Sequence, residues 1–266
     1  VTSEMDLIAG TMQTALQQID GFSDDLATPL LSAAGTQDES SISALGTAAE
    51  QKFNATIGML NTRIGDRALF SGKATNQTAL PAGKDILAEL QGLVSGEVSA
   101  AAVRDLVNGW FDDPAGYAAL YAGGEALEPV SLGQGETAQI KVTAISPEIV
   151  ETLKGLALAS LTARSATGLD HEGRASLSAM AGQSLLDSRT ARADMRADLA
   201  VTENRIAAAQ SQNNAEATSL KLAQARLVEV DPFEAATKLT EAQTRLETIY
   251  AITSRLSSLN LASYLR

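Results

Sequence analysis

DPFEAATKLTEAQTRLETIYAITSRLSSLNLASYLR, residues 231–266, ends the chain and decides how the rest is read. Asp231 can accept hydrogen bonds from the first free backbone amides of a helix, and Pro232 sits where a missing N–H costs nothing. Glu234, three residues past the cap, can reach back to it as in a capping box. Leu239, Ala242, Leu246, Ile249, Thr253 and Leu256 follow in steps of three and four, a heptad stripe. Ile249, Ile252, Leu256 and Leu259 widen that face. No glycine or proline interrupts the pattern, which predicts a helix about 50 Å long. A helix of that length cannot bury a stripe against itself, so it needs a partner. Leu239, Leu246, Ile249, Ile252, Leu256, Leu259 and Leu261 are the candidate interface residues.

Immediately upstream, a long helical pattern runs from His171 toward Glu229. Its stripe is Leu177, Ala181, Leu185, Ser188, Arg192, Met195, Leu199, Thr202, Ile206 and Ala209. Polar residues on that seam fit a partly wet bundle or a protein that gains contacts on assembly. The chain is expected to close its own bundle up to about Glu229. At the other end, Met5, Ile8, Met12, Ala15, Ile19, Phe22 and Leu26 predict a helix over residues 2–27 that stops before Pro29. Residues 33–40 read as loop. Ser41 is the expected cap of a second helix with Ile42, Leu45, Ala49, Phe53, Ile57, Leu60 and Ile64 inward. These two helices are expected to pair as a hairpin or a staggered pair.

Between the two helical ends the pattern changes. Residues 61–83 read as helix end, short extended segment and loop; 86–94 and 99–110 read as short helices. Residues 127–132 and 137–143 are candidate strands joined by Gly133-Gln134-Gly135, with Pro129 marking an edge. Ser146-Pro147-Glu148-Ile149 opens another helix. The expected fold is mainly α: an elongated bundle of long antiparallel helices with a small α+β insert. Its expected segments are N-terminal core helices at 1–67, a mixed insert at 68–165, a long core helix region at 166–230 and a terminal assembly helix at 231–266.

The composition narrows the function. Hydrophobic residues make up 45% of 266, enough for a sizeable core, while aromatics are only 4%, which favours close helix packing on small residues. The net charge of −12, without a Lys/Arg cluster, argues against nucleic acid or an anionic membrane as partner. Without cysteine there are no disulfides and no thiolate chemistry. No apolar run reaches the length of a membrane span, and no charged-then-apolar presequence opens the chain.

Catalytic signals are weak. His171 is the single histidine and reads as a solvated helix cap beside Asp170, with no metal-ligand spacing around it. Asp24-Asp25 and Asp112-Asp113 read as turn or cap residues. Gly133 to Glu136 lacks the Lys and hydroxyl of a phosphate loop. No cofactor, metal site or catalytic residue is expected, and no enzyme activity.

Asn61 to Gly72, NTRIGDRALFSG, resembles the end of the N-terminal region of bacterial flagellins, and more closely that of the hook–filament junction proteins in the same superfamily. There a helix leads into a Phe-Ser-Gly or Phe-Asn-Gly turn. The ending from Ala225 to Arg266 resembles the flagellin C-terminal region, and the stretch from Trp110 to Gly124, with Tyr117 and Tyr121, resembles the outer part of junction proteins. The resemblance implies a structural subunit of the flagellum, extracellular and exported without a cleaved signal peptide. It implies self-association and contact with a hook-associated protein and flagellin, after binding of a cytoplasmic export chaperone to the C-terminal region. It also implies a further helix before Val1, the mate of the terminal one. Filament flagellin is the alternative within the superfamily. From another class, the alternative is a soluble helical binding protein or enzyme with a pocket in residues 115–142.

Overall fold

A computed structural model of the chain describes residues 2–133, 135–163, 166–228 and 232–258. The protein is mainly α, with two small antiparallel strand pairs. It divides into two compact units, Val1–Ser211 and Gln212–Arg266.

The first unit begins with a hairpin of α1 (Thr2–Thr36) and α2 (Glu39–Leu60). The stripe Met5, Ile8, Met12, Ala15, Ile19 and Leu26 is buried as its spacing predicts. Phe22 departs from it. Ser23 takes the seam position instead, its hydroxyl donated to the Ile19 carbonyl at 3.1 Å. Phe22 is half-exposed under the Lys52 ammonium, 4.9 Å from its ring centroid, and Lys52 also pairs with Asp25 at 2.9 Å.

Pro29 does not end α1, which continues to Thr36. A proline inside a helix costs ~3 kcal/mol through a lost hydrogen bond and a clash. Here Leu26, Ala27, Leu30 and Ala33 are all buried around it, and burying a single leucine is worth about 1.5–3 kcal/mol, so packing wins. The expected loop at 33–40 shrinks to a turn at Gln37, whose φ is 51°, and Asp38 rather than Ser41 caps α2. The Asp38 carboxylate accepts hydrogen bonds from the hydroxyls of Ser41 at 2.6 Å and Ser40 at 2.7 Å, and from their amides.

Four helices then close a bundle. α6 (Pro147–Ser160) packs on α2, α7 (His171–Asp187) packs on α6 and on α1, and α1 packs on α2, so the cyclic order is α1, α2, α6, α7. α6 lies within the segment whose sequence reads as insert, yet it forms one wall of this bundle. Its other sides are covered by α4 (Ala100–Asp112), and residues 152–162 are buried without interruption. A helix covered on all sides shows no clean amphipathic period. Small residues let the helices approach: a Cβ at Gly46 of α2 would lie 2.7 Å from the Ala163 nitrogen and 2.7 Å from the Thr162 hydroxyl.

Beyond α7 the long helical pattern breaks at Ser188, and α8 (Arg189–Val228) carries on. Arg192 lies on the seam, as its spacing predicts, but the seam is not wet there. Arg192 is 2% exposed and donates to Asp20 of α1 at 2.7 Å, to the Ser188 hydroxyl at 2.6 Å and to the Leu185 carbonyl at 3.2 Å. Arg196, one turn on, donates to the other oxygen of Asp20 at 2.7 Å. Asp24, expected in a turn, is instead in mid-helix and pairs with Arg189 and Arg192.

The remainder of the first unit sits between α2 and α6. β1 (Arg63–Ile64) and β2 (Arg67–Ala68) form a tight hairpin around Gly65, followed by α3 (Gly83–Leu93), α4 and the short α5 (Tyr117–Leu120). Ser99 caps α4, its hydroxyl accepting from the Ala102 amide at 3.4 Å. β3 (Val130–Gly133) pairs with β4 (Glu136–Ala138), shorter than the predicted strands and irregular between Ser131 and Gly133. Lys154 of α6 faces α4. Burial works against its charge, but ion pairs to Asp112 at 2.7 Å and Glu151 at 2.6 Å outweigh that and raise its pKa.

Two outcomes follow. Gly46→Ala should lower stability by about 1–3 kcal/mol in urea denaturation, because backbone at Ala163 blocks the added methyl. Gly21→Ala in α1 has open space and should gain up to about 1 kcal/mol from helix propensity. Separately, hydrogen bonds from the Ser41 and then the Ser40 hydroxyl hold the Asp38 pKa down to about 2. A depressed carboxylate contributes stability above its unfolded pKa that is lost as pH falls through the folded one. A carboxyl NMR titration should therefore place Asp38 near 2 and move it upward in Ser41→Ala.

Candidate assembly surface

α9 (Pro232–Ser258) starts at the proline, as its sequence predicts, with Glu234 in the first turn paired to Lys238 at 2.7 Å. Asp231, the expected cap, lies outside the described residues. Of the predicted interface residues, Leu239, Leu246, Ile249, Ile252 and Leu256 are 52–64% exposed; Leu259 and Leu261 lie outside the described residues. At 3.6 residues per turn the five side chains fall within an arc of about 140°. Thr253 interrupts this arc, but its hydroxyl is donated to the Ile249 carbonyl at 2.7 Å. The far side carries Thr237, Thr240, Thr244 and Thr248, each bonded to the carbonyl four residues before it.

The arrangement can do no chemistry, but it can bind. Fully burying a large aliphatic side chain is worth about 1.5–3 kcal/mol, and these five still expose a little over half, so they represent roughly 4–9 kcal/mol of gross driving force before the cost of association.

The apolar surface of the second unit is larger than the sequence stripe foretold. Leu220, Leu222, Leu227 and Val228 of α8 are 58–88% exposed, and Phe233 and Tyr250 of α9 are exposed as well. The signal was present: Leu220 and Leu227 stand one heptad apart on the continuation of the stripe that ends at Ala209. Self-closure was expected as far as Glu229. The last described side chain that is fully buried in α8 is Ala209.

The residues weighed for chemistry disperse. His171 is half-buried at the start of α7, whose cap is Asp170, bonded to the Gly173 amide at 2.8 Å. Asp25 pairs with Lys52 and Asp112 with Lys154, while Asp113 ends α4 and accepts from the Ala115 amide. Among the described residues no group of three His, Asp or Glu could hold a metal ion. A surface groove runs between Gln139–Val142 and α8, lined also by Glu148, Met195, Asp198, Leu199 and Thr202. Its charges are of both signs and converge on no common point that the hydrogen bonds reveal. No helix among the described residues is long and apolar enough to cross a membrane.

Two separate stretches do meet. Phe70 is buried, and its carbonyl accepts from the Ala144 amide at 2.9 Å and the Tyr121 hydroxyl at 3.3 Å. Gly72, at φ 55°, lies so close to the Gly124 and Glu125 carbonyls that a Cβ would be 2.4 and 2.2 Å from them. The Phe70-Ser71-Gly72 turn is thus seated on the Tyr121–Glu125 run, and only glycine fits.

Ile249→Asp places a charge in the middle of the apolar arc. It should abolish any association that covers this face, read by sedimentation or pull-down, and leave the circular dichroism and thermal midpoint of the first unit unchanged. A chain that loses its whole fold would show instead that Ile249 belongs to a core.

Residues 185–265 match the family model described as the bacterial flagellin C-terminal helical region. No curated protein and no solved structure matches the chain. The match covers the end of α7 together with α8 and α9, so the exposed apolar face lies inside it. Residues 185–265 are thus similar to the C-terminal helical region of bacterial flagellins.

Proposed function

We propose that the protein is a structural subunit that links hook and filament in the bacterial flagellum. A flagellin C-terminal region implies a flagellar structural subunit, extracellular and self-assembling. The single observation that carries an assembly role is the apolar arc of α9 inside that region, more than half exposed along Leu239, Leu246, Ile249, Ile252 and Leu256. The mechanism is helix packing between subunits, without turnover. Leu259 and Leu261 extend the proposed surface by their spacing.

The junction role rests on the resemblance of the Phe70–Gly72 turn and the Trp110–Gly124 stretch to junction proteins. Their mutual packing supports reading them as one feature. The proposed division of labour is a core from residues 1–67 and 166–230 that α6 completes, an outer insert from the rest of 68–165 and an assembly helix from 231–266. Proposed partners are a hook-associated protein, flagellin, further copies of the chain, and a cytoplasmic chaperone that binds the C-terminal region before export without signal cleavage. Nucleic acid and membrane are not among them. The matched family is described for flagellin in general, which favours filament flagellin as the second reading.

Labelled antibody against the chain decides between the two. On isolated flagella, label should collect at the hook–filament boundary. Label along the whole filament would establish the second reading, and no flagellar label would remove both.

A further inference from the structure

We propose that the partly buried Asp20–Arg192–Arg196 cluster is a register lock, which selects one alignment of α1 against α8 among several that apolar packing would accept. The inference is independent of the flagellar assignment.

The need for a lock comes from the stripes themselves. Buried positions on α1 recur as Met5, Met12, Ile19, Leu26 and Ala33, and again as Ile8 and Ala15. On α8 they recur as Arg192, Leu199 and Ile206, and as Met195 and Ala209. Both series have a period of seven. A slide of one heptad therefore lays medium-sized apolar side chains on medium-sized apolar side chains again. One link across α1 is indifferent to register: the Ser178 hydroxyl of α7 donates at 3.0 Å to the Leu30 carbonyl, a main-chain acceptor of a kind every residue supplies.

The native alignment is antiparallel and can be read from side chains. Ser3 bonds Gln210 at 3.2 Å, a Cβ at Gly10 would touch the Glu203 carboxylate at 3.5 Å, and Asp24 pairs with Arg189 at 3.4 Å. In that alignment the Asp20 carboxylate, 18% exposed, takes one guanidinium on each oxygen, both at 2.7 Å. Sliding α8 by one heptad brings Leu199 and Glu203 to Asp20, so a leucine and a second carboxylate stand where two guanidiniums pair with it natively. Breaking a buried pair in this way is strongly unfavourable, whereas replacing the whole cluster by apolar residues is often neutral or stabilising. Such a cluster therefore contributes selectivity more than stability. Its position, where α7 gives way to α8 at Ser188, lets one contact align both helices.

The chain has no cysteine, so labels can be placed cleanly. Nitroxides on Gln17→Cys and Ala208→Cys, both at exposed positions, report axial register by double electron–electron resonance. The wild-type background should give one distance. With Asp20→Leu, Arg192→Met and Arg196→Met together, the chain should stay helical with an equal or higher Tm, and a second distance should appear, shifted from the first by up to the rise of one heptad, about 10 Å. One unchanged distance in that variant would overturn the proposal, because apolar packing alone would then set the register. A lowered Tm would also overturn it, by making the cluster a source of stability. A charge-swapped chain, Asp20→Arg with Arg192→Asp and Arg196→Asp, covers misfolding of the apolar one. Complementarity predicts the single native distance for it, and slippage or misfolding of the swapped chain would again overturn the lock.

Discussion

A helix can bury its apolar stripe only along the length over which another helix runs beside it. In this protein that constraint organises the whole chain. α8 is one continuous helix, yet its seam is buried at Arg192, Met195, Leu199, Ile206 and Ala209 and exposed at Leu220 and Leu227. The change comes where Gln210 meets Ser3 at the start of α1. The same kind of sequence thus serves as core on one side of that point and as surface on the other. α9 continues the second condition with five aliphatic side chains in one arc.

Within the first unit, shape is set by close approach more than by bulk. The chain holds few aromatic residues, and three of them, Trp110, Phe111 and Tyr117, pack ring against ring beside the bundle. Tyr117 is buried with its hydroxyl on the Ala144 carbonyl at 2.9 Å, and burial pushes its pKa upward. The bundle itself depends on glycine and alanine at contacts such as Gly46 against Ala163. Regular stripes of small and medium side chains pack well but discriminate poorly between registers, so the few buried charges carry the discrimination.

Much of the architecture was legible in the sequence because three-four periodicity reports directly on one-sided burial. It located α1, α2, α7 and α8, the α3 and α4 helices of the insert, and the arc on α9. It failed where tertiary contacts overrode a local rule. Pro29 reads as a helix stop, but four buried residues around it hold α1 together. Ser41 has the right chemistry for a cap, but Asp38 lies one turn earlier and binds both serines. α6 is enclosed on every side, so its pattern could not show which neighbour it serves. Asp20 stands beside the Ile19 stripe and looks like any surface carboxylate until Arg192 and Arg196 are brought to it from more than 170 residues away.

The sequence by itself determined that the chain is helical at both ends, that its middle is mixed, and that its last helix bears an apolar face it cannot cover alone. Those properties follow from spacing along one helix. Only the tertiary structure decided that α6 completes the bundle, that the Phe-Ser-Gly turn rests on the Tyr121–Glu125 run, and that burial along α8 stops near Gln210. Each of these depends on which distant segments are brought together, and that information is absent from any single stretch of the chain.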